Sequence, residues 1–327
     1  MKAVLYHQYG SADQLHLEEI PKPVPKENEV LIKICAASIN DWDWGLLHGV
    51  PFANRMMSGL FKPKKIQILG SDIAGHIEAI GKNVSHFKSG DEVFGDLSDM
   101  HGTGWGGFAE YVCATENVLL FKPATMSYKQ AAALPQTGAL AIQGLDQGKI
   151  KSGDRVLING ASGGVGTLAI QIAKSYDTEV TAVCSGAKLE LVRSLGADHV
   201  IDYQQQDFTK NGQHYNLILD VKGFHSIFDY RRALAPNGRY VMLGGASSRT
   251  FQVLLLGPLL TRLGNKKMGL LFLKPNKGLD SLVALFQAGK LKPVIDQHFP
   301  LSQATEAMRY YESWKAKGKV ILTMEEA

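Results

Sequence analysis

At 327 residues, 45% hydrophobic and 20% charged, the chain carries enough apolar side chains to fill two ordinary globular cores. A net charge of +4 is too mild and too evenly spread for a nucleic-acid-binding face, so nucleic acid is not expected among its partners. Cys35, Cys113 and Cys184 are odd in number and far apart, which excludes a disulfide framework and suits a reducing, cytoplasmic compartment.

Met1-Lys2 leads straight into Ala-Val-Leu-Tyr, a strand-like start rather than a leader peptide. The turn-rich Pro21-Lys-Pro-Val-Pro-Lys-Glu-Asn precedes a strand-like run over 30–37. Further strands are expected over 70–81, 89–95 and 107–112, each bounded by glycine. Many short strands around tight corners suggest a partly closed β-barrel over residues 1–123. Cys35 and Cys113 fall in apolar runs and read as buried packing residues. His48 and His101 read as surface or loop histidines.

From Ser127 the pattern changes to alternating helices and strands. A helix is expected over 128–134, and strands over 156–158, 180–184, 199–203, 217–221 and 238–244, with 267–273 a possible sixth. Helices are expected over 167–174 and 188–195. This alternation makes a doubly wound parallel sheet over 124–273. The greasiest patch, 253–260, is interrupted by Gly257-Pro258, and no apolar run reaches the roughly 20 residues of a membrane span. The tail, 274–327, reads as helices over 279–288 and 303–314, then a strand over 319–324 that returns to the first domain.

The stretch 154–166 is the one the chain turns on: Asp-Arg-Val-Leu-Ile-Asn-Gly-Ala-Ser-Gly-Gly-Val-Gly. A buried strand ends in a glycine turn that opens a helix. The spacing reads as Gly160-x-x-Gly163-x-x-Gly166, or as Ala161-x-Gly163-x-x-Gly166, a variant of the dinucleotide fingerprint. Gly163 and Gly164 let backbone approach a pyrophosphate, whose charge the helix N-terminus attracts. Gly166 lets the helix lie close on the strand. An NAD-preferring unit places an acid at the end of its second strand. Here that corner reads Cys184-Ser185-Gly186-Ala187-Lys188, with no acid. A hydroxyl and a lysine suit the 2′-phosphate of NADPH; otherwise Lys188 is a solvated residue in a helix's first turn.

With these stretches in hand, the chain resembles a zinc-independent medium-chain dehydrogenase/reductase of the quinone oxidoreductase, zeta-crystallin-like branch, over essentially its whole length. The resemblance rests on Ala37-Ser-Ile-Asn, Gly90-Asp-Glu-Val-Phe-Gly, Gly107-Phe-Ala-Glu-Tyr, Ala131-Ala-Ala-Leu-Pro, the glycine turn, Leu195-Gly-Ala-Asp-His-Val-Ile-Asp-Tyr and Gly318-Lys-Val-Ile-Leu. It implies an α/β architecture, a GroES-like β-barrel catalytic domain plus a Rossmann sheet, with the active site in the cleft between them. Its pyrophosphate contacts fall on Ser162, Gly163, Gly164 and Val165, and its 2′-phosphate pair on Ser185 and Lys188. Tyr203 matches a tyrosine on the adenine side. Leu243, Gly244 and Gly245 match the loop that passes the nicotinamide, Lys274 a basic residue near the cofactor, and Thr137 a threonine beside the nicotinamide, displaced from Leu140.

Zinc-dependent relatives hold their metal with a cysteine on the loop that is 40–43 here and with the histidine of a Gly-His-Glu that reads Gly70-Ser71-Asp72 here. His76 is off register, so no metal is expected. Without a Lewis acid, alcohol oxidation becomes improbable. Hydride delivery to an electrophilic small molecule, a quinone or an α,β-unsaturated carbonyl, needs mainly orientation and a donor to the developing oxyanion. Asn40 matches the family's active-site asparagine and Asp43 an acid three residues on, giving the expected catalytic pair. A turn-stabilising asparagine and a helix-start acid are the other readings of these two. Trp42 and Trp44, and Gly45 in place of a family tyrosine, depart from the family pattern. The resemblance further implies a homodimer through the Rossmann edge strand at 267–273. A non-enzymatic NADPH-binding protein, crystallin-like or partner-binding, is the alternative function.

Overall fold

The computed structural model describes residues 1–98 and 104–324. His101 lies outside them. The chain divides into two units, 1–136 with 295–327, and 137–294.

The first unit is built on a curled, mainly antiparallel sheet. Its central strand, Glu29–Ser38, pairs along one side with Asp72–Ile80. Along the other side, Glu29 to Lys33 meet Tyr111–Thr115, and Ala36 to Ser38 meet Lys319–Thr323. One strand with two successive partners on one edge bends the sheet toward closure. Glu92–Asp96 and Leu120–Phe121 extend it beyond Asp72–Ile80. At the opposite end Ile295–Pro300 runs parallel to Lys319–Thr323, so the tail strand returns as expected. Ile32, Ile34, Ile73, Phe108 and Leu322 fill the core. Cys35 and Cys113 are only half-buried, and Cys35 Sγ lies 3.8 Å from His76 Nδ1. His48 ends a helix, Asp41–His48, whose start the sequence offered only as the other reading of Asp43, and its ring stacks on Trp44.

The second unit is a six-stranded parallel sheet in the order His199–Asp202, Glu179–Cys184, Arg155–Asn159, Tyr215–Asp220, Leu234–Met242, Lys267–Leu270. Val156, Leu157 and Ile158 have no exposed surface, as a central strand covered on both faces requires. Strand order reverses between Arg155–Asn159 and Tyr215–Asp220, which makes the crevice at their C-terminal ends the topological switch point. The patch around Gly257-Pro258 is a continuous helix, Ser247–Arg262.

The observed division falls later than 123/124 and 273/274. The helix Leu279–Gln287 packs into the second unit, where a Cβ on Gly138 would stand 2.4 Å from Leu282 Cδ1. Gln171 also ties that segment in, donating to Lys292 O at 3.0 Å and accepting from Lys292 N–H at 2.8 Å. Residues 124–136 stay with the first unit, because Gln136 N–H donates to Asp72 at 3.1 Å.

Gly166 shows why the turn needs its last glycine. A Cβ there would lie 2.4 Å from Gly160 O and 2.5 Å from Ala161 Cα, both backbone atoms that cannot swing aside. Gly166→Ala is expected to destabilise the second unit by about 2 kcal/mol through overpacking. The check is the urea midpoint, and an unchanged midpoint would contradict this account of the packing.

Candidate functional site

In the second unit the glycine turn follows the strand Arg155–Asn159 and opens the helix Gly164–Lys174, with Gly163 at its N-cap. Gly160 takes φ +82°, the left-handed corner that lets the chain reverse. A Cβ on Gly163 would meet nothing nearer than Gly160 O at 3.7 Å. Internal packing therefore demands glycine at 166 but not at 163. The space over 163 is an open cradle beside the N–H groups of a helix N-terminus, an end that attracts anions. Ser162 and Val165 are nearly buried beside it.

A buried acid holds the neighbouring loops. Asp220 has no exposed surface; its Oδ1 accepts from Asn159 Nδ2 at 2.8 Å and its Oδ2 from the Tyr240 hydroxyl at 2.8 Å. Burial raises its pKa against those donors. The Leu243 N–H donates to Asp220 O at 2.7 Å, and Gly223 N–H to Gly244 O at 3.1 Å. Gly245, at φ +140°, lies so close to Gly223 that a Cβ would stand 2.5 Å from the Gly223 nitrogen. Leu243, Gly244 and Gly245 are thus fixed to the loop after the adjacent strand, at the switch point. Asn159, Asp220 and Tyr240 were not singled out from sequence, since only the parallel register brings them together.

At the other side of the turn, Ser185 caps a short turn, Gly186–Lys188, after the strand Glu179–Cys184. Tyr203 N–H donates to Cys184 O at 3.2 Å, which sets Tyr203, 58% exposed, beside Ser185. An acid does stand at this corner. Asp202 is paired in register with Cys184, and its Oδ2 lies 2.7 Å from where a Cβ on Gly186 would be. The sequence reading looked for an acid along one strand and missed the one contributed by its neighbour. Thr137 is nearly buried in the first turn of the helix Pro135–Gln147. Lys274 is exposed. Gln143 pins its backbone at 2.8 and 3.0 Å, and among the described residues no hydrogen bond joins Lys274 to the glycine turn.

In the first unit Asn40 caps the helix Asp41–His48 and is 2% exposed. Lys319, buried and carrying only donors, gives Nζ hydrogen bonds to Asn40 Oδ1 at 2.5 Å and to Ile39 O at 3.2 Å. That fixes the amide's orientation, and Asn40 Nδ2 donates to Asp72 Oδ2 at 3.0 Å. Ser38 Oγ donates to the same carboxylate at 3.2 Å. Asp72 sits 3.9 Å from Lys319 Nζ, and burial, with repulsion from Asp96, raises its pKa. Burial lowers that of Lys319. Both shifts reflect the cost of burying a charge, which the pairing of the two groups and their hydrogen bonds offsets.

Asp43 is hydrogen-bonded to backbone at both of its oxygens. It has no exposed surface, its Oδ2 accepts from Asn40 N–H at 2.8 Å and its Oδ1 from Gly70 N–H at 2.8 Å. Both oxygens are committed to backbone, and burial pushes the carboxyl up to about 7. It is the helix-start acid of the alternative reading, and a positioning residue for Asn40. Asp72 and Lys319 were missed as site residues, although each lies in a stretch quoted for its pattern. Nothing in one dimension marks them as partners.

The family model described as "Alcohol dehydrogenase GroES-like domain" matches residues 26–124, and "Zinc-binding dehydrogenase" matches 195–322. The chain is similar to a chloroplastic quinone-oxidoreductase QR1 of Triphysaria versicolor, 35% identical across 98% of both chains. It is 33% identical, over 98% of its length and 79% of the relative's, to a chloroplastic NADPH-dependent alkenal/one oxidoreductase of Arabidopsis thaliana. The solved quinone oxidoreductase of Coxiella burnetii superposes with a TM-score of 0.87 at 30% identity, covering 99% of each chain. The glycine cradle, the switch-point loops and these whole-length similarities lead to one conclusion: the chain belongs to the medium-chain dehydrogenase/reductase family, in its quinone oxidoreductase-type branch, and is an oxidoreductase that uses a nicotinamide cofactor.

Proposed function

We propose that the protein is an NADPH-dependent reductase that passes hydride to a quinone or an α,β-unsaturated carbonyl without a metal. The observation that carries this reading is the Asn40 amide. Lys319 takes its oxygen and Asp72 one of its two N–H groups, while the second N–H has no hydrogen-bond partner among the described residues. A fixed neutral donor suits a carbonyl oxygen that gains negative charge during reduction. Ser162, Gly163, Gly164 and Val165 would hold the pyrophosphate of NADPH, which would supply hydride, two electrons and a proton, and leave as NADP⁺; the acceptor's oxygen would take a further proton from water.

The zinc-binding model matches 195–322, which leaves out residues 40–72. There the chain offers Asn40, Asp43, Ser71 and Asp72, with the Lys319 ammonium 3.9 Å from Asp72 and both Asp43 oxygens already hydrogen-bonded. A cation would meet a buried positive charge and occupied oxygens. Activity should therefore survive strong chelators, and elemental analysis should find no stoichiometric zinc; one tightly held zinc per chain would refute this part of the proposal.

For the cofactor, Ser185, Lys188 and Tyr203 favour a 2′-phosphate and Asp202 opposes it. Lys188→Glu should weaken NADPH relative to NADH by roughly tenfold to a hundredfold, the worth of one charged contact to phosphate. Asp202→Asn should act in the opposite sense, by about two- to fivefold, the size of one screened charge. Binding titrations with both cofactors decide this, and equal wild-type affinities would sink the NADPH assignment.

A homodimer and residence in a reducing cytoplasm complete the proposal. Lys267–Leu270 is the last strand of its sheet. Its outward groups are partly capped already: Thr261 Oγ1 accepts from Met268 N–H at 3.0 Å and Gln147 Nε2 donates to Leu270 O at 3.2 Å. Leu271 N–H donates inward, to Met242 O at 2.9 Å, so it offers no ladder donor to a partner. The contact would then draw on the adjoining helix Ser247–Arg262, where Phe251, Leu255 and Leu259 are 65%, 75% and 51% exposed. Sedimentation should give twice the chain mass for the wild type and a shift toward monomer for Leu255→Asp. A wild type that is monomeric at micromolar concentration rules the dimer out.

A further inference from the structure

Trp42 and Trp105 face each other with ring centroids 5.9 Å apart and planes 34° from parallel. Trp105 packs partly buried on the first unit's core, and Trp42 keeps 42% of its surface exposed. An indole left this open, backed by another indole, presents a flat, electron-rich face to solvent.

The pair is held by the same hydrogen bonds that hold Asn40. Trp42 lies in the first helical turn between Asn40 and Asp43, and Asp43 Oδ2 accepts from Asn40 N–H at 2.8 Å. Asp43 Oδ1 takes the Gly70 N–H at 2.8 Å, and Gly70 O in turn accepts from Gly107 N–H at 2.8 Å, two residues beyond Trp105. Gly107 can make this approach because it lacks a Cβ, which would stand 2.7 Å from Ile73 Cγ2. The buried acid thus ties the helix start bearing Trp42 to the strip bearing Trp105.

We propose that Trp42, backed by Trp105, is the stacking wall for the acceptor and selects flat aromatic quinones over linear enones. This rests on the reductase reading and narrows its substrate class. A quinone ring is planar and electron-poor, so it stacks face to face on an electron-rich indole with apolar burial added. A linear enone has little π-surface to offer the wall and gains less from it. Stacking acts on the bound ground state as much as on the transition state, so it is read in KM more than in kcat.

The test uses the full-length protein with NADPH, a 1,4-naphthoquinone and 3-penten-2-one. In Trp42→Leu, the ratio of kcat/KM for the naphthoquinone to that for the enone should fall about five- to tenfold, mostly through KM, matching one lost aromatic contact. Trp42→Phe should restore most of the ratio, and Trp105→Leu should lower it less. A ratio that stays put or moves toward the quinone in Trp42→Leu overturns the wall. Should the wild type reduce neither acceptor, the reductase reading fails by itself. Saturable quenching of tryptophan fluorescence by the naphthoquinone then decides the wall: loss of that quenching in Trp42→Leu supports it, and quenching unchanged in the variant overturns it.

Discussion

Asp72 has no exposed surface, and meeting its need for donors gathers stretches of the first unit that are far apart in sequence. Ser38 and Asn40 come from the end of the central strand, Gln136 from the close of the unit's first segment, and Lys319 from the tail. A carboxylate buried without such partners would cost several kcal/mol, so these three stretches are not independently placed. The tail strand's return is fixed by more than its ladder to Ala36, Ala37 and Ser38. Removing Lys319 would take a donor from Asn40 Oδ1 and the cation 3.9 Å away from Asp72.

The second unit repeats the device with a different acid. Asp220 closes the ends of three parallel strands through Asn159, Tyr240 and its own backbone carbonyl, and the loop 243–245 follows from it. Parallel strands leave their C-terminal ends without hairpin turns to organise them, so side chains must do that work. Buried acids that accept several hydrogen bonds rigidify the loops around them in both units. Asp43 adds a third instance, in which the carboxylate replaces a backbone acceptor at a helix start and links that start to Gly70 and Gly107.

The glycine turn illustrates how two identical residues can serve opposite ends. Gly166 is required by the protein's own backbone, whereas a Cβ on Gly163 would come no nearer than 3.7 Å to any described atom outside its chain neighbours and its own helix. The first is a packing constraint and the second is not, a difference that spacing alone does not express. The corner at Ser185 shows the same limit. Its lysine and hydroxyl were legible in order along one strand, while Asp202 joins them only through the parallel register of the next.

What the sequence determined by itself was periodic or local: the apolar run Val156-Leu-Ile, the fingerprint glycines, the alternation that yields a doubly wound sheet, and the returning strand Lys-Val-Ile-Leu-Thr. These depend on side-chain period and on backbone conformations open to glycine, both readable within a few residues. The helix Asp41–His48 was equally local, with Asn40 and Asp43 as its start signal, but two tryptophans and a glycine obscured it. Only the tertiary structure decided that Asp43 is spent on backbone, that Lys319 and Asp72 orient Asn40, and that Trp42 meets Trp105. Each depends on which distant strands lie side by side, and in a sheet that is set by pairing across the fold rather than by any residue's neighbours in the chain.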